Sequence, residues 1–245
     1  MSETPGRDQI YATPREAVQG FTFDAKVAAV FGDMISRSVP GYGMILEMIG
    51  VITRRYAQPA SRCYDLGCSL GASTLSIRHN LPDEGCSIIA VDNSAAMVER
   101  CREYIAQDDG RAPVQVELAD IQAMPVEQAS LVVLNFTLQF LPVDAREALL
   151  ARICSGMLPG GALVLSEKIA FEDPAEQALL TDLHHGFKRA RGYSDLEIAQ
   201  KRSALENVLV PESFETHRQR LLRAGFTRVT LWFQCFNFVS ILAEK

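Results

Sequence analysis

Two acids and two glycines pose the first chemical question of this chain. In the run Cys63-Tyr64-Asp65-Leu66-Gly67-Cys68-Ser69-Leu70-Gly71-Ala72-Ser73-Thr74, a buried-strand pattern passes straight into a small-residue turn and then a helical stretch. Gly67 and Gly71 leave the backbone bare where a ligand would approach. Asp92 stands twenty-one residues after Gly71, closing the apolar run Ser87-Ile88-Ile89-Ala90-Val91, and a carboxylate there can accept hydrogen bonds from a ribose. A dinucleotide fingerprint wants small residues at offsets zero, two and five; Gly67, Ser69 and Ala72 match it poorly. The S-adenosylmethionine loop, Asp-x-Gly-x-Gly-x-Gly, fits from Asp65 to Gly71 with one substitution, Ser69. That loop cradles no phosphate. It needs only close backbone approach to the methionyl end, which serine permits. A small-residue turn that merely packs a helix on a sheet would look the same alone, but Asp92 at its distance favours a nucleoside site.

The elements around these residues predict an α/β fold. Five parallel strands are expected at 62–66, 87–91, 114–118, 131–135 and 162–166, their near-continuous Val, Ile and Leu content suiting strands buried on both faces. Helices are expected at 72–79, 94–105 and 143–157, the second capped by Asn93 or Ser94, with Leu158-Pro159-Gly160-Gly161 as the turn into the fifth strand. Two amphipathic helices precede the sheet, separated by Pro40-Gly41. Tyr42 sits in that break, where its ring could lie over a ligand or plug the joint. Ligands of open parallel sheets gather outside the carboxyl ends of the strands, where Asp65, Asp92, Asp120, Asn135 and Glu167 all fall. Asp120 could accept the adenine amino group with Ile121 covering the ring, or cap a helical turn; Asn135 could also be a cap.

After the fifth strand comes an insertion of about forty residues, 171–210, too long for an ordinary crossover and suited to a lid or a subunit contact. Its paired His184 and His185 lack further ligands at metal spacing and read as packing and surface residues; no metal is expected. In its second helix, about 194–208, Arg202 falls on the stripe of Ile198, Leu205 and Val208. An arginine on a core face needs a partner, unless its stem packs while the guanidinium reaches water. A helix is expected at 212–224. The last two apolar runs, 228–233 and 238–242, are too close for a crossover helix and must form a hairpin, which sets a class I methyltransferase sheet apart from dinucleotide-binding sheets.

Composition limits the partners. In 245 residues, 48% apolar content supports a sizeable core, read as one domain over 21–245 with a flexible arm at 1–20 that offers no chemistry. No apolar run reaches the roughly 18 residues of a spanning helix, and residues 1–18 hold no hydrophobic signal, so a cytoplasmic protein is expected. Six cysteines without a Cys-x-x-Cys pair fit reduced, buried thiols. A net charge of −6 argues against tight tRNA binding and favours small-molecule substrates. The one basic cluster, Lys188-Arg189-Ala190-Arg191, reads as a solvated helix face.

Several longer runs add a specific likeness: Ser38-Val39-Pro40-Gly41-Tyr42, Tyr64 to Ala72, Asp92-Asn93-Ser94, the run 132–141 (VVLNFTLQFL), 160–168 (GGALVLSEK), Gln200-Lys201-Arg202-Ser203 and 231–238 (LWFQCFNF). Over about residues 21–243 the chain resembles the carboxy-S-adenosyl-L-methionine synthase family. The resemblance implies a Rossmann-like class I methyltransferase fold with a seven-stranded, mostly parallel sheet. It implies a homodimeric enzyme that moves a carboxyl group from prephenate to the methyl of S-adenosyl-L-methionine, releasing phenylpyruvate and water. The product, carboxy-S-adenosyl-L-methionine, would supply a separate enzyme that modifies wobble uridine in tRNA. The contacts implied are Tyr42, Gly67, Cys68, Ser69, Asp92, Asn93, Asp120, Ile121, Asn135 and Arg202. Arg202 would also be the catalytic candidate, its guanidinium fork holding the carboxyl that leaves prephenate, with the expelled hydroxide taking the methyl proton.

Overall fold

The computed structural model describes residues 6–82 and 85–245. Two helices, α1 (Ala25–Ser38) and α2 (Tyr42–Tyr56), lead into a seven-stranded sheet of order β3-β2-β1-β4-β5-β7-β6. The strands are β1 (Arg62–Leu66), β2 (Ser87–Asp92), β3 (Val114–Leu118), β4 (Ala129–Asn135), β5 (Met157–Lys168), β6 (Arg228–Cys235) and β7 (Phe238–Glu244). Strands β1 to β5 pair in parallel, and β7 runs antiparallel between β5 and β6. The C-terminal hairpin expected from the sequence is thus present, with its antiparallel strand inside the sheet rather than on its edge. The connecting helices are α3 (Ala72–Arg78), α4 (Ala95–Gln107), α5 (Arg146–Gly156), α6 (Pro174–Ala190), α7 (Asp195–Leu205) and α8 (Phe214–Arg223).

Local chemistry sets where these elements begin. Ser94 caps α4 by accepting from the Met97 amide, and Ser194 with Glu197 forms a reciprocal capping box on α7. Both layers of the core lie against the central strands: Leu131 and Val133 pack with Ile45, Ile49 and Ile77 on one face, and Val132 and Leu134 with Leu149, Leu150 and Ile153 on the other. Every residue of β4 but Asn135 is buried, as a central parallel strand requires.

Two boundaries differ from the sequence reading. Met157 pairs with Ala129 while Ala162 pairs with Leu131, so 158–161 forms an irregularity within a longer β5 rather than a turn before it, with Gly160 at φ +75°. The fifth helix starts at Arg146 because Val143–Ala145 makes a tighter turn first. The segment read as a flexible arm is fastened over residues 6–20: Asp8 and Tyr11 are buried, and the Gln200 side chain bonds the Tyr11 and Thr13 carbonyls and the Arg15 amide. Residues 1–5 lie outside the described residues.

Candidate functional site

A cavity of about 410 Å³ opens over the carboxyl ends of β1, β2, β4 and the turn after β3, where the strand order reverses. It is lined by Tyr42, Gly67, Cys68, Ser69, Asp92, Asn93, Asp120, Ile121 and Asn135. The structure therefore brings together nine of the ten contact residues expected from the sequence.

Each is positioned by backbone. Gly67 (φ +83°) and Gly71 (φ +86°) hold the turn after β1, and a Cβ on Gly67 would stand 2.3 Å from Thr137 Oγ1. The Gly67 and Cys68 amides both donate to the Val91 carbonyl, which ties the loop to β2. Asp92 accepts from the Ser69 amide through Oδ2 and from the Ser94 amide through Oδ1, each at 2.9 Å. Burial pushes its carboxyl upward while those amides oppose the shift. A carboxylate offers about four lone-pair sites, so Asp92 keeps capacity for two ribose hydroxyls. Asn135 donates from Nδ2 to Ser73 Oγ at 3.1 Å, leaving its buried Oδ1 without a partner. An orphaned acceptor beside the bare Gly67 turn suits the ammonium of a methionyl group. S-adenosyl-L-methionine therefore fits the residues present.

Asp120 accepts from the Gln122 amide at 2.8 Å, so it caps its turn and still faces the cavity with Ile121. Tyr42 opens α2 after Gly41, and burial pushes its phenol up, keeping it neutral. Cys68 is no nucleophile: a hydrogen bond with Cys101 and burial push its thiol well up. All six cysteines are free, and five are buried.

Two of the strand-end acids do other work. Asp65 accepts from Thr74 Oγ1 at 2.6 Å, holding α3 on the sheet, and burial pushes it up to about 7. Glu167, fully buried, accepts from the Leu138 amide at 3.0 Å and fixes the turn after β4. Burial keeps its carboxyl well above the ordinary range.

Arg202 is placed differently from the sequence reading. Gln200 is drawn inward by the 6–20 segment, so α7 buries Ile198, Gln200, Lys201 and Ala204, and the helix ends at Leu205 before Val208 can extend the stripe. Arg202 is exposed, in a surface depression with His185, Arg189, Asp195 and Glu206, outside the cavity of its own chain.

The cavity's other wall was missed. Lys168 ends β5, His184 and Lys188 come from α6, and Lys201 from α7. Lys188 belongs to the cluster read as solvated, yet it is buried, while Arg189 beside it pairs with Asp195 in solvent. The signal was available: Lys188 lies four residues after His184, on the same helix face. His184 Nε2 bonds the Ser38 carbonyl at 2.8 Å and its ring meets Phe238 edge-on at 4.8 Å. Burial first, then Lys188, push it down to about 3, so it is neutral.

Residues 64–161 match the family model described as a methyltransferase domain. Among solved structures, a putative O-methyltransferase from Nostoc punctiforme PCC 73102 aligns with TM-score 0.64 at 16% identity, covering 90% of this chain and 59% of that one. A putative S-adenosyl-L-methionine-dependent methyltransferase from Methanococcus maripaludis aligns with TM-score 0.60 at 20% identity, covering 94% and 97%. With the strand order and the strand-end cavity, these define a Rossmann-like class I methyltransferase fold. Identity is far higher to two curated relatives, each named carboxy-S-adenosyl-L-methionine synthase. The one from Hahella chejuensis is 62% identical over 98% of each chain, and the one from Geobacter sp. strain M21 is 59% identical over 97% of this chain and 98% of its own. The chain belongs to the carboxy-S-adenosyl-L-methionine synthase family.

Proposed function

We propose that this protein transfers a carboxyl group from prephenate to the methyl of S-adenosyl-L-methionine, forming carboxy-S-adenosyl-L-methionine, phenylpyruvate and water. Charge and atoms balance: the ring of prephenate loses its carboxyl and its hydroxyl and becomes aromatic, and the hydroxide combines with the proton given up by the methyl. The sulfonium nucleoside supplies an acidified methyl when bound. The protein's part is to bind, orient and exclude water. Asp92 holds the ribose, Asp120 and Ile121 the adenine, and Asn135 and the Gly67-Cys68-Ser69 turn the methionyl end, with Asn93 and Tyr42 closing the sides.

The observation that carries this reading is the lysine wall. Lys168 and Lys188, without side-chain partners among the described residues, and Lys201, which Asp8 pairs, line the cavity that would hold a cationic sulfonium, and an uncharged methyl acceptor would gain nothing from them. A dianionic donor neutralises that field. The rings of Tyr42, Phe136 and Phe238, in consecutive contact at 6.4 and 5.9 Å, offer the donor's ring an apolar seat beside Asn135.

In this reading the enzyme is a cytoplasmic homodimer, and its product is used by a separate enzyme that modifies wobble uridine. Among the described residues no helix is long and apolar enough to cross a membrane. Leu179, Leu183 and Leu196 are exposed on α6 and α7, the two helices that also carry residues of the Arg202 depression, and a dimer would cover such apolar side chains. Arg202 then acts from the second copy, and Arg202→Lys should keep nucleoside affinity but lose most carboxyl transfer. The direct test incubates the protein with S-adenosyl-L-methionine and prephenate and reads products by mass. Carboxylated nucleoside with equimolar phenylpyruvate is expected; unchanged nucleoside, or methyl transfer to an added acceptor, would refute the proposal.

A further inference from the structure

Lys188 is the least explained charge in the molecule. Its residue is 7% exposed and lines the cavity, yet no hydrogen bond or ion pair joins its ammonium to any described residue. Its neighbours make matters worse. Lys201 and Lys168 are near enough to lower it further, after burial itself, and only Asp8 opposes them. Asp8 is already committed: it lies 3.6 Å from Lys201 Nζ and accepts the Tyr193 hydroxyl. Lys201 has a second partner in Ser38 Oγ at 3.0 Å. Lys168, like Lys188, has no side-chain partner among the described residues, and burial with Arg202 beyond it lowers its affinity for a proton. Burial holds Lys188 down to about 7. An unpaired buried ammonium costs several kcal/mol, so a fold under selection for stability alone would place an apolar side chain here.

We propose that Lys188, with Lys168 beside it, binds the carboxylate that the donor keeps, the one on its pyruvyl arm, and so makes the enzyme selective for donors that carry a second, remote carboxylate. The inference rests on the prephenate reading above and assigns that donor's orientation. The wall supports it by position. His184 and Lys188 share a face of α6, and His184 abuts Phe238, at the end of the ring row that begins with Tyr42 beside the nucleoside turn. A donor ring on those aromatics puts one carboxyl toward the methionyl end and leaves the other arm toward α6. Neutral His184 adds a ring wall there without competing for the anion.

The test uses Lys188→Met and Lys188→Arg in the full chain, with the product phenylpyruvate as a competitive probe, because phenylpyruvate carries the retained carboxylate and lacks the transferred one. In Lys188→Met, the KM for prephenate and the inhibition constant of phenylpyruvate should rise together, by about 10- to 100-fold, the range for losing a charge-assisted bond. The dissociation constant of S-adenosyl-L-methionine should stay within twofold. Lys188→Arg should recover part of both losses. Without ligand, the Met variant should melt no lower than the parent, since it deletes an unpaired buried charge. An unchanged prephenate KM would overturn the proposal. So would a raised KM with unchanged phenylpyruvate inhibition, which would put Lys188 on the transferred carboxylate. A lower melting temperature together with weaker nucleoside binding would make Lys188 a structural residue. Absence of carboxylated product from the parent enzyme would instead remove the prephenate reading and this inference with it.

Discussion

At one end of the cavity the polar groups are carboxylates and an amide held by strand ends; at the other they are ammonium groups carried by β5 and two inserted helices. The ends differ in more than sign. Asp92 already accepts two backbone amides before any ligand arrives, and Asp120 caps its own turn. Lys188 has nothing. The first end is preorganised and stable empty, a general holder for the nucleoside; the second waits for an anion to repay its burial. In the proposed reading, binding of the nucleoside and choice of the donor fall to separate parts of the chain, which substitution can separate.

The largest effect is expected beneath the nucleoside end. Asp65 is pushed to about 7, against about 4 in the unfolded chain. Its contribution to stability is complete below pH 4, where both states are protonated. It is lost as pH rises to 7, because the unfolded state ionises first. Asp65→Asn, which still accepts from Thr74, removes that titration and should gain on the parent by up to about 4 kcal/mol at pH 7. Denaturant melts at pH 4, 5.5 and 7 read this directly, and parallel profiles would show that Asp65 is ionised without strain.

Next is Asp92→Ala, which should weaken S-adenosyl-L-methionine binding by about 1.5–3 kcal/mol, the range for hydrogen bonds to a charged group. The KM for prephenate should hardly move if the ends are separate. Calorimetry with steady-state kinetics measures both, and equal losses at both ends would collapse the distinction.

How much could be read beforehand follows the same division. The nucleoside end was legible because each of its residues ends a strand or opens a turn, so one-dimensional order fixes its place: Gly67 follows β1, Asp92 ends β2 and Asn135 ends β4. The lysine end depends on which face α6 and α7 turn inward. That is settled by contacts distant in sequence, the 6–20 segment gripping Gln200 and Ser38 meeting His184 and Lys201. Hydrophobic spacing put Arg202 on the core stripe and the basic run put Lys188 in solvent, and tertiary packing reversed both.

A smaller effect sharpens the role of the turn. Gly67→Ala forces a side chain into φ +83° with its Cβ 2.3 Å from Thr137 Oγ1. It should cost at least about 1–2 kcal/mol of stability by thermal or chemical melt and weaken nucleoside binding. A neutral result would mean the loop yields easily. The smallest expected signal is with RNA. A net charge of −6 offers few phosphate contacts, so a gel shift should find no submicromolar, steeply salt-dependent tRNA affinity. Such affinity would point to direct tRNA methylation.

The most direct measurement is the mass of the nucleoside that co-purifies with the protein. The proposed reading predicts carboxy-S-adenosyl-L-methionine, its added carboxylate at the methionyl end and the lysine wall left for the carboxylate that the donor keeps. Recovery of S-adenosyl-L-methionine alone, from cells that contain prephenate, would contradict the account.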